Sequence, residues 1–429
     1  MDYKKIIVQW LEFVQPSVLE RDISVNLAHD FITTITGPRR AGKTFLCFQT
    51  IKGLLGAGIP KSNILYINFE DEKLLGANVT DLDKLLDAFF ELSEIQKDRS
   101  IYLFLDEIQN ISQWDVWVRR MHDMNKGIKL ILTGSSSKLL SKEISTRLRG
   151  RTINTEVFPL SFKEYLKWKK VSFNLKTISH SKDRFKVKKE FKEYLLGGGY
   201  PAILVNLGIE KETILQGYFQ SMIFKDIIER NRIKEIKKIK ILANLIFDSV
   251  TKEISYNRLS NRLKDLGFKL SKNTVIEYLS YFEDAYLFFQ NLKFEYSLAK
   301  QLGSIKKVYC IDNGLLNAVS FKFSEDIGKL LENVVFIQLK RDNYDVFYHR
   351  GINECDFILR KKNKVIEAIQ VAKELNEDNK KREIAGLLEA MKMHRLRKGL
   401  LLTEGLEDRL KINGKIIEIK PVWKWLLQK

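Results

Sequence analysis

A chain of 429 residues, 45% hydrophobic and 30% charged, is long enough for about three domains and too apolar to be disordered. Its 73 Lys and Arg against 54 Asp and Glu leave a formal net charge of +19, which makes polyanions the natural partner class, although lysines also serve simply to solubilise a surface. No apolar run approaches the ~20 residues of a membrane span, and the opening MDYKKIIVQWLEFVQP is too charged for a secretory signal. Three widely spaced cysteines (Cys47, Cys310, Cys355) without a C-x-x-C read as buried thiols of a reducing cytoplasm, not as a disulfide framework or zinc site.

The first strong signal is a β-branched run, Phe31–Thr36, leading into GPRRAGKT at 37–44 and then an apolar helical stretch, 44–49. The pattern G-x-x-x-x-G-K-[ST] between a strand and a helix is a phosphate loop. Its backbone N–H groups and helix N-terminus face a polyphosphate. Gly37, Pro38, Arg39, Arg40, Ala41, Gly42, Lys43, Thr44 and Phe45 are therefore expected to line the site of ATP and Mg²⁺, with Lys43 on the β- and γ-phosphates and Thr44 on the metal.

Two near-continuous apolar strands follow, 63–69 and 101–105, as a parallel sheet covered on both faces requires. The second ends in Asp106-Glu107, a Walker B pattern. Asp106 is expected in the Mg²⁺ shell, and Glu107 is expected to orient or deprotonate the attacking water. A third strand, 128–133, runs into Gly134-Ser135, so Thr133 or Ser135 is placed either to sense the γ-phosphate or to cap a helix. Beyond it Arg147, Arg149 and Arg151 are candidate arginine fingers, in cis or in trans, or a solvated basic loop.

With TGPRRAGKT, FLDEIQNISQWDVWVRRM, LILTGSSS, LRGR before FPLSFKEYL, and GGGYPA, the chain resembles a group of archaeal and bacterial AAA+-type ATPases. The resemblance runs over essentially the whole chain. It implies an α/β protein with a P-loop AAA+-like parallel-sheet core (1–160), a helical lid (161–235), a winged helix (236–300) and a C-terminal α/β nuclease-like domain (301–429).

Read without that resemblance, 161–230 is helical and lysine-rich, interrupted by GGGYP at 197–201 as a hinge or an interhelical connection. NRIKEIKKIK at 231–240 carries isoleucines at 233, 236, 239 and 241, predicting a helix with one buried face. A short strand at 253–256, a helix at 257–266 and a Ser271-capped helix to Ala285 resemble a winged helix. Arg262, Lys269 and Lys272 offer phosphate contacts, while Glu277, Glu283 and Asp284 oppose them and suit a protein partner.

The last third predicts a helix at 330–336 bearing Glu332, then strands 354–359 and 364–371, with Glu354 and Asp356 on one face. This resembles the PD-(D/E)XK nuclease core, in which Glu332, Asp356 and Gln370 would hold a second Mg²⁺. Lys373 comes one residue late, on the wrong face unless a bulge corrects it. The expected function is a cytoplasmic ATP-hydrolysing enzyme coupled to nucleic acid, DNA favoured, without membrane contact. The alternatives are a signalling or scaffold ATPase and an ATP-gated DNA nuclease.

Overall fold

The β-branched run ahead of the phosphate loop becomes an interior strand of a five-stranded parallel sheet. The structure, a computed structural model, describes residues 1–135, 148, 150–205, 208–320 and 326–429. Contacts divide it into two units, Met1–Phe158 and Pro159–Lys429.

The first unit opens with α1 (Tyr3–Glu12), capped by Asp2. It continues through β1 (Ile32–Thr36), α2 (Lys43–Gly56), β2 (Ile64–Asn68) and α3 (Val79–Leu92), which starts at an Asn78/Asp81 capping box. β3 (Ile101–Asp106), α4 (Trp114–Met124), β4 (Ile128–Gly134) and β5 (Thr152–Glu156) complete it. The sheet order is β2-β3-β4-β1-β5, every pair parallel. β4 thus lies between β1 and β3, and the C-terminal ends of the three stand side by side. That edge is where open α/β sheets hold ligands.

The second unit begins with α5 (Phe162–Trp168), capped reciprocally by Ser161 and Glu164, then α6 (Asp183–Gly197) and α7 (Lys211–Ser221), which continues into a π-helical turn, Met222–Glu229. The helix expected over 231–240 starts later, as α8 (Ile236–Asp248). Arg232, at φ 51°, interrupts the backbone before it. The buried stripe is Ile239, Leu242, Ala243 and Ile246, while Ile236 is 40% exposed. The downstream apolar residues, at i, i+3, i+4 and i+7, set the face that packs.

The glycines at 197–199 form a packed connection. A Cβ on Gly198 would lie 2.1 Å from Asp312 Oδ1, and one on Gly314 would lie 2.0 Å from Gly197 O. Only bare backbone fits there.

β6 (Glu253–Ile254), α9 (Tyr256–Asp265) and α10 (Lys272–Asp284, capped by Ser271) precede β7 (Phe288–Lys293), β8 (Lys306–Cys310), α11 (Asn313–Val319) and α12 (Ile327–Arg341). β9 (Asp345–Arg350), β10 (Glu354–Lys361), β11 (Lys364–Val371), α13 (Glu377–Met393), β12 (Lys398–Thr403), β13 (Asp408–Ile412), β14 (Lys415–Pro421) and α14 (Val422–Leu427) follow. One nine-stranded mixed sheet, β13-β14-β12-β11-β10-β9-β7-β8-β6, carries them all. Cys355, Ile358, Ala368, Leu387, Met391 and Leu401 are among its core. Helix α13 lies so close to β10 that a Cβ on Gly386 would meet Glu354 O at 1.8 Å. All three cysteines are buried free thiols. Among the described residues, no helix is long and apolar enough to cross a membrane.

Candidate functional site

The phosphate loop needs backbone that L side chains resist, and the sequence supplies glycine at two such points. Gly37 sits at φ 150° and Gly42 at φ 100°, with Arg40 at φ 63° between them. Gly37 is also sterically required, because a Cβ there would lie 2.1 Å from Val157 O. Gly42 caps α2 without a side-chain bond to its first turn. The N–H groups of that turn therefore meet an anion with the positive end of the helix dipole.

Lys43 is 5% exposed. Its Nζ donates to Gly37 O and Pro38 O, both at 3.2 Å, and lies 3.5 Å from Glu107 Oε1. Thr44 Oγ1 donates to Asp106 Oδ2 at 2.8 Å. The two Walker halves, 62 residues apart, are thus in direct contact. Thr133, at the end of the intervening strand β4, donates to Asp106 Oδ1 and accepts from Glu107 N at 2.9 Å. It fixes both acidic residues at once. Ser135, just beyond, is buried.

Burial pushes the Asp106 carboxyl up, partly offset by hydrogen bonds from Thr133 and Tyr66. Burial also opposes ionisation of Glu107, but there the Lys43 ammonium and a bond from Gln109 outweigh it and hold the carboxyl down. Glu107 itself adopts left-handed backbone, φ 54°, a strained conformation of the kind that clusters at functional sites. Asp106, Thr44 and Thr133 form an oxygen set of the kind Mg²⁺ takes, so the residues fit a Mg·ATP complex. Arg39 pairs with Glu70 at 2.8 Å, and Phe45 is half-exposed.

A model described as an AAA domain matches residues 29–166, and one described as a domain of unknown function matches residues 188–326. The uncharacterized protein MJ1544 of Methanocaldococcus jannaschii is 39% identical over 99% of this chain and 95% of its own. An uncharacterized protein of Haemophilus influenzae is 33% identical over 93% of this chain and 95% of its own. The chain belongs to this family of AAA-type P-loop ATPases. Among solved structures, the Walker-type ATPase paby2304 of Pyrococcus abyssi aligns with a TM-score of 0.46 at 15% identity, over 74% of this chain and 94% of that one.

Two residues of this ATPase unit escaped the sequence. Arg21 is 5% exposed, and its guanidinium donates to Ala41 O and Phe158 O, both at 2.9 Å, clamping the phosphate loop to the end of the unit. Nothing around position 21 signals this. Tyr66 Oη donates to Asp106 Oδ2 at 2.7 Å. A tyrosine on a buried strand needs a partner for its hydroxyl, and that was a usable signal.

The arginines divide. Arg147 and Arg149 lie outside the described residues. Arg151 pairs with Asp123 at 3.0 Å, and its carbonyl accepts from Ile32 N, at the start of β1. The phosphate loop follows the other end of β1. Arg151 therefore stands at the opposite edge of the sheet and is not a cis finger.

In the second unit, Glu332 (α12) and Asp356 (β10) do converge, but around a lysine the sequence had not singled out. Lys307 Nζ lies 3.0 Å from Glu332 Oε1, 2.6 Å from Glu354 Oε1 and 2.9 Å from Asp356 Oδ1. Tyr309 Oη donates to Glu332 Oε1 at 2.7 Å. β10 shifts register against β9 between Cys355 and Ile358, a bulge that re-aims Asp356. Burial lowers the Lys307 pKa, yet Asp356 and Glu332 hold it well above the usual range. Burial and Asp356 push Glu332 up. Gln370 reaches the cluster only through the Asp356 backbone. Its Oε1 accepts from Asp356 N at 3.2 Å and its Nε2 donates to Glu383 at 2.7 Å. Lys373 lies past the end of β11 and is exposed, so no bulge brings it in.

Proposed function

We propose that this protein binds and hydrolyses ATP at the β1–β3–β4 edge of its first unit and couples the cycle to nucleic-acid binding by its second. The observation that carries the hydrolysis is the direct bond between Thr44 and Asp106, with Thr133 holding Asp106 and the Glu107 backbone. Lys43 neutralises phosphate charge, and Thr44 and Asp106 would hold the Mg²⁺. Bound there, the ion supplies Lewis-acid neutralisation of the phosphoryl oxygens. Glu107, ionised beside Lys43, orients the attacking water and takes its proton. Arg147 or Arg149 acts as the finger in cis or in trans, and Arg151 only in trans. In this reading the chain divides into an ATPase core (1–160), helical lid (161–235), winged helix (236–300) and nuclease-like domain (301–429).

The nucleic-acid role has support in α9 and α10. Arg258, Arg262, Lys264, Lys269 and Lys272 are exposed around them. Glu283, which opposed DNA in sequence, is turned inward and accepts from Gln290 N and Nε2, both at 2.8 Å. The helix–turn–helix of a winged helix places such a surface against phosphates and the major groove.

The ATP site is tested by Lys43→Ala, which removes a charge-assisted phosphate contact and is expected to weaken ATP binding by about 100-fold. A calorimetric titration that leaves the affinity unchanged would sink the assignment. DNA coupling is tested by fluorescence anisotropy across a salt series. Binding is expected to fall steeply with salt, and Lys269→Glu with Lys272→Glu is expected to flatten the log–log slope by about one per lost phosphate contact. No binding at low salt would turn the second unit into a protein-docking scaffold.

A further inference from the structure

A nuclease-like fold implies a divalent metal among Glu332, Asp356 and the third-motif residue, and with Lys307 in their midst these residues do not fit one. Among the described residues, no group of three or more His, Cys, Asp and Glu side chains is arranged to hold a metal ion. The carboxylates converge on the Lys307 ammonium instead, with three contacts of 3.0 Å or less from a side chain that is 3% exposed. Its Nζ donates to Glu332 Oε1 and Asp356 Oδ1 and stands within ion-pair distance of Glu354 Oε1, so the ammonium charge is shared among the three carboxylates.

Other acceptor positions of the three carboxylates have partners of their own. Asp356 Oδ2 accepts from Val371 N at 3.0 Å, Glu332 Oε1 also accepts from Tyr309, and Glu354 Oε2 binds Arg350. Gln370, the would-be third ligand, spends its carbonyl on Asp356 N.

We propose that Lys307 is the built-in cation of this three-carboxylate centre, occupying with an ammonium the position a metal would need, so that the native centre does not cleave phosphodiesters. The ammonium satisfies the carboxylates that an unpaired cluster would leave repelling one another, and removing it exposes a latent metal site. The inference concerns the second unit alone and survives or fails independently of ATP hydrolysis.

The test uses the full chain without nucleotide, in thermal melts with and without Mn²⁺. Wild type is expected to show no Mn²⁺ stabilisation that depends on Asp356. Lys307→Met is expected to lose stability and to regain it with Mn²⁺, with an apparent affinity at least about tenfold tighter than wild type, because the ion now takes the freed carboxylates. Adding Asp356→Asn should abolish that rescue, and the Asp356 comparison separates this centre from the phosphate-loop metal. Should Lys307→Met fail to fold, the charge-reduced pair Lys307→Met with Glu332→Gln carries the same measurement. Mn²⁺ protection of wild type that Asp356→Asn removes would overturn the proposal. So would plasmid cleavage by wild type that Asp356→Asn abolishes, or an absence of rescue in both the single variant and the pair.

Discussion

Glu107→Gln is expected to slow ATP turnover by about 10²–10⁴-fold, the usual contribution of a positioned general base, while ATP stays bound. The substitution is isosteric and keeps a partner for Gln109, so the local backbone at φ 54° has no reason to move. What it removes is the negative charge that Lys43 stabilises 3.5 Å away. Binding should be retained, because Lys43, Thr44 and the loop backbone are untouched. Single-turnover hydrolysis and retention of labelled ATP on a filter check the two halves separately. Unchanged turnover would remove Glu107 from the chemistry. Lost binding would show instead that it props up Lys43.

Asp312→Ala should destabilise the second unit by about 2–4 kcal/mol, since buried backbone donors lose their acceptor. The carboxylate takes Gly199 N at 2.7 Å and Leu315 N at 3.0 Å, tying the triple glycine to the first turn of α11. A melt shifted down by about 5–10 °C is expected for a unit of this size. An unshifted melt would mean that water replaces the carboxylate.

The pH dependence has a definite sign. Burial raises the Asp312 carboxyl to about 6, against bonds from Gly199, Leu315 and Gly314 and the Arg341 charge that lower it. Tyr194, Tyr200 and Cys310 also face it. Between about pH 4 and 6 the folded state keeps a proton the unfolded chain has released, so stability falls as pH rises through that window. The span is about 3 kcal/mol. The gap between wild type and Asp312→Ala should therefore widen as pH falls from 7 to 4.5, as denaturant melts at the two values would reveal. A constant gap would refute the raised pKa.

The nucleotide-binding half was legible because its determinants are local. A β-branched run, two glycines at left-handed positions and a helix are contiguous at 31–56, and apolar strands ending in carboxylates announce a covered parallel sheet. Other features were not local. The start of α8 slipped to Ile236 because the packed stripe is chosen by what lies opposite, and position 232 broke the backbone first. GGGYP looked the same as a hinge or a packed turn until Asp312, more than a hundred residues on, filled the space a Cβ would need. Glu283 counted as a surface charge in sequence and is spent on Gln290 in the fold.

Sequence alone determined that the first unit carries a Walker pair, because a phosphate loop and a strand-end carboxylate depend on backbone conformation and hydrophobic period, both written along the chain. Tertiary structure alone decided the strand order that puts Thr133 between Thr44's loop and Asp106. It also decided the meeting of Lys307 with Glu332, Glu354 and Asp356. β8 lies three strands from β10, about 14 Å in a flat sheet, beyond the reach of a lysine side chain. The contact therefore depends on how these strands pack together over many residues, which no single stretch of sequence encodes.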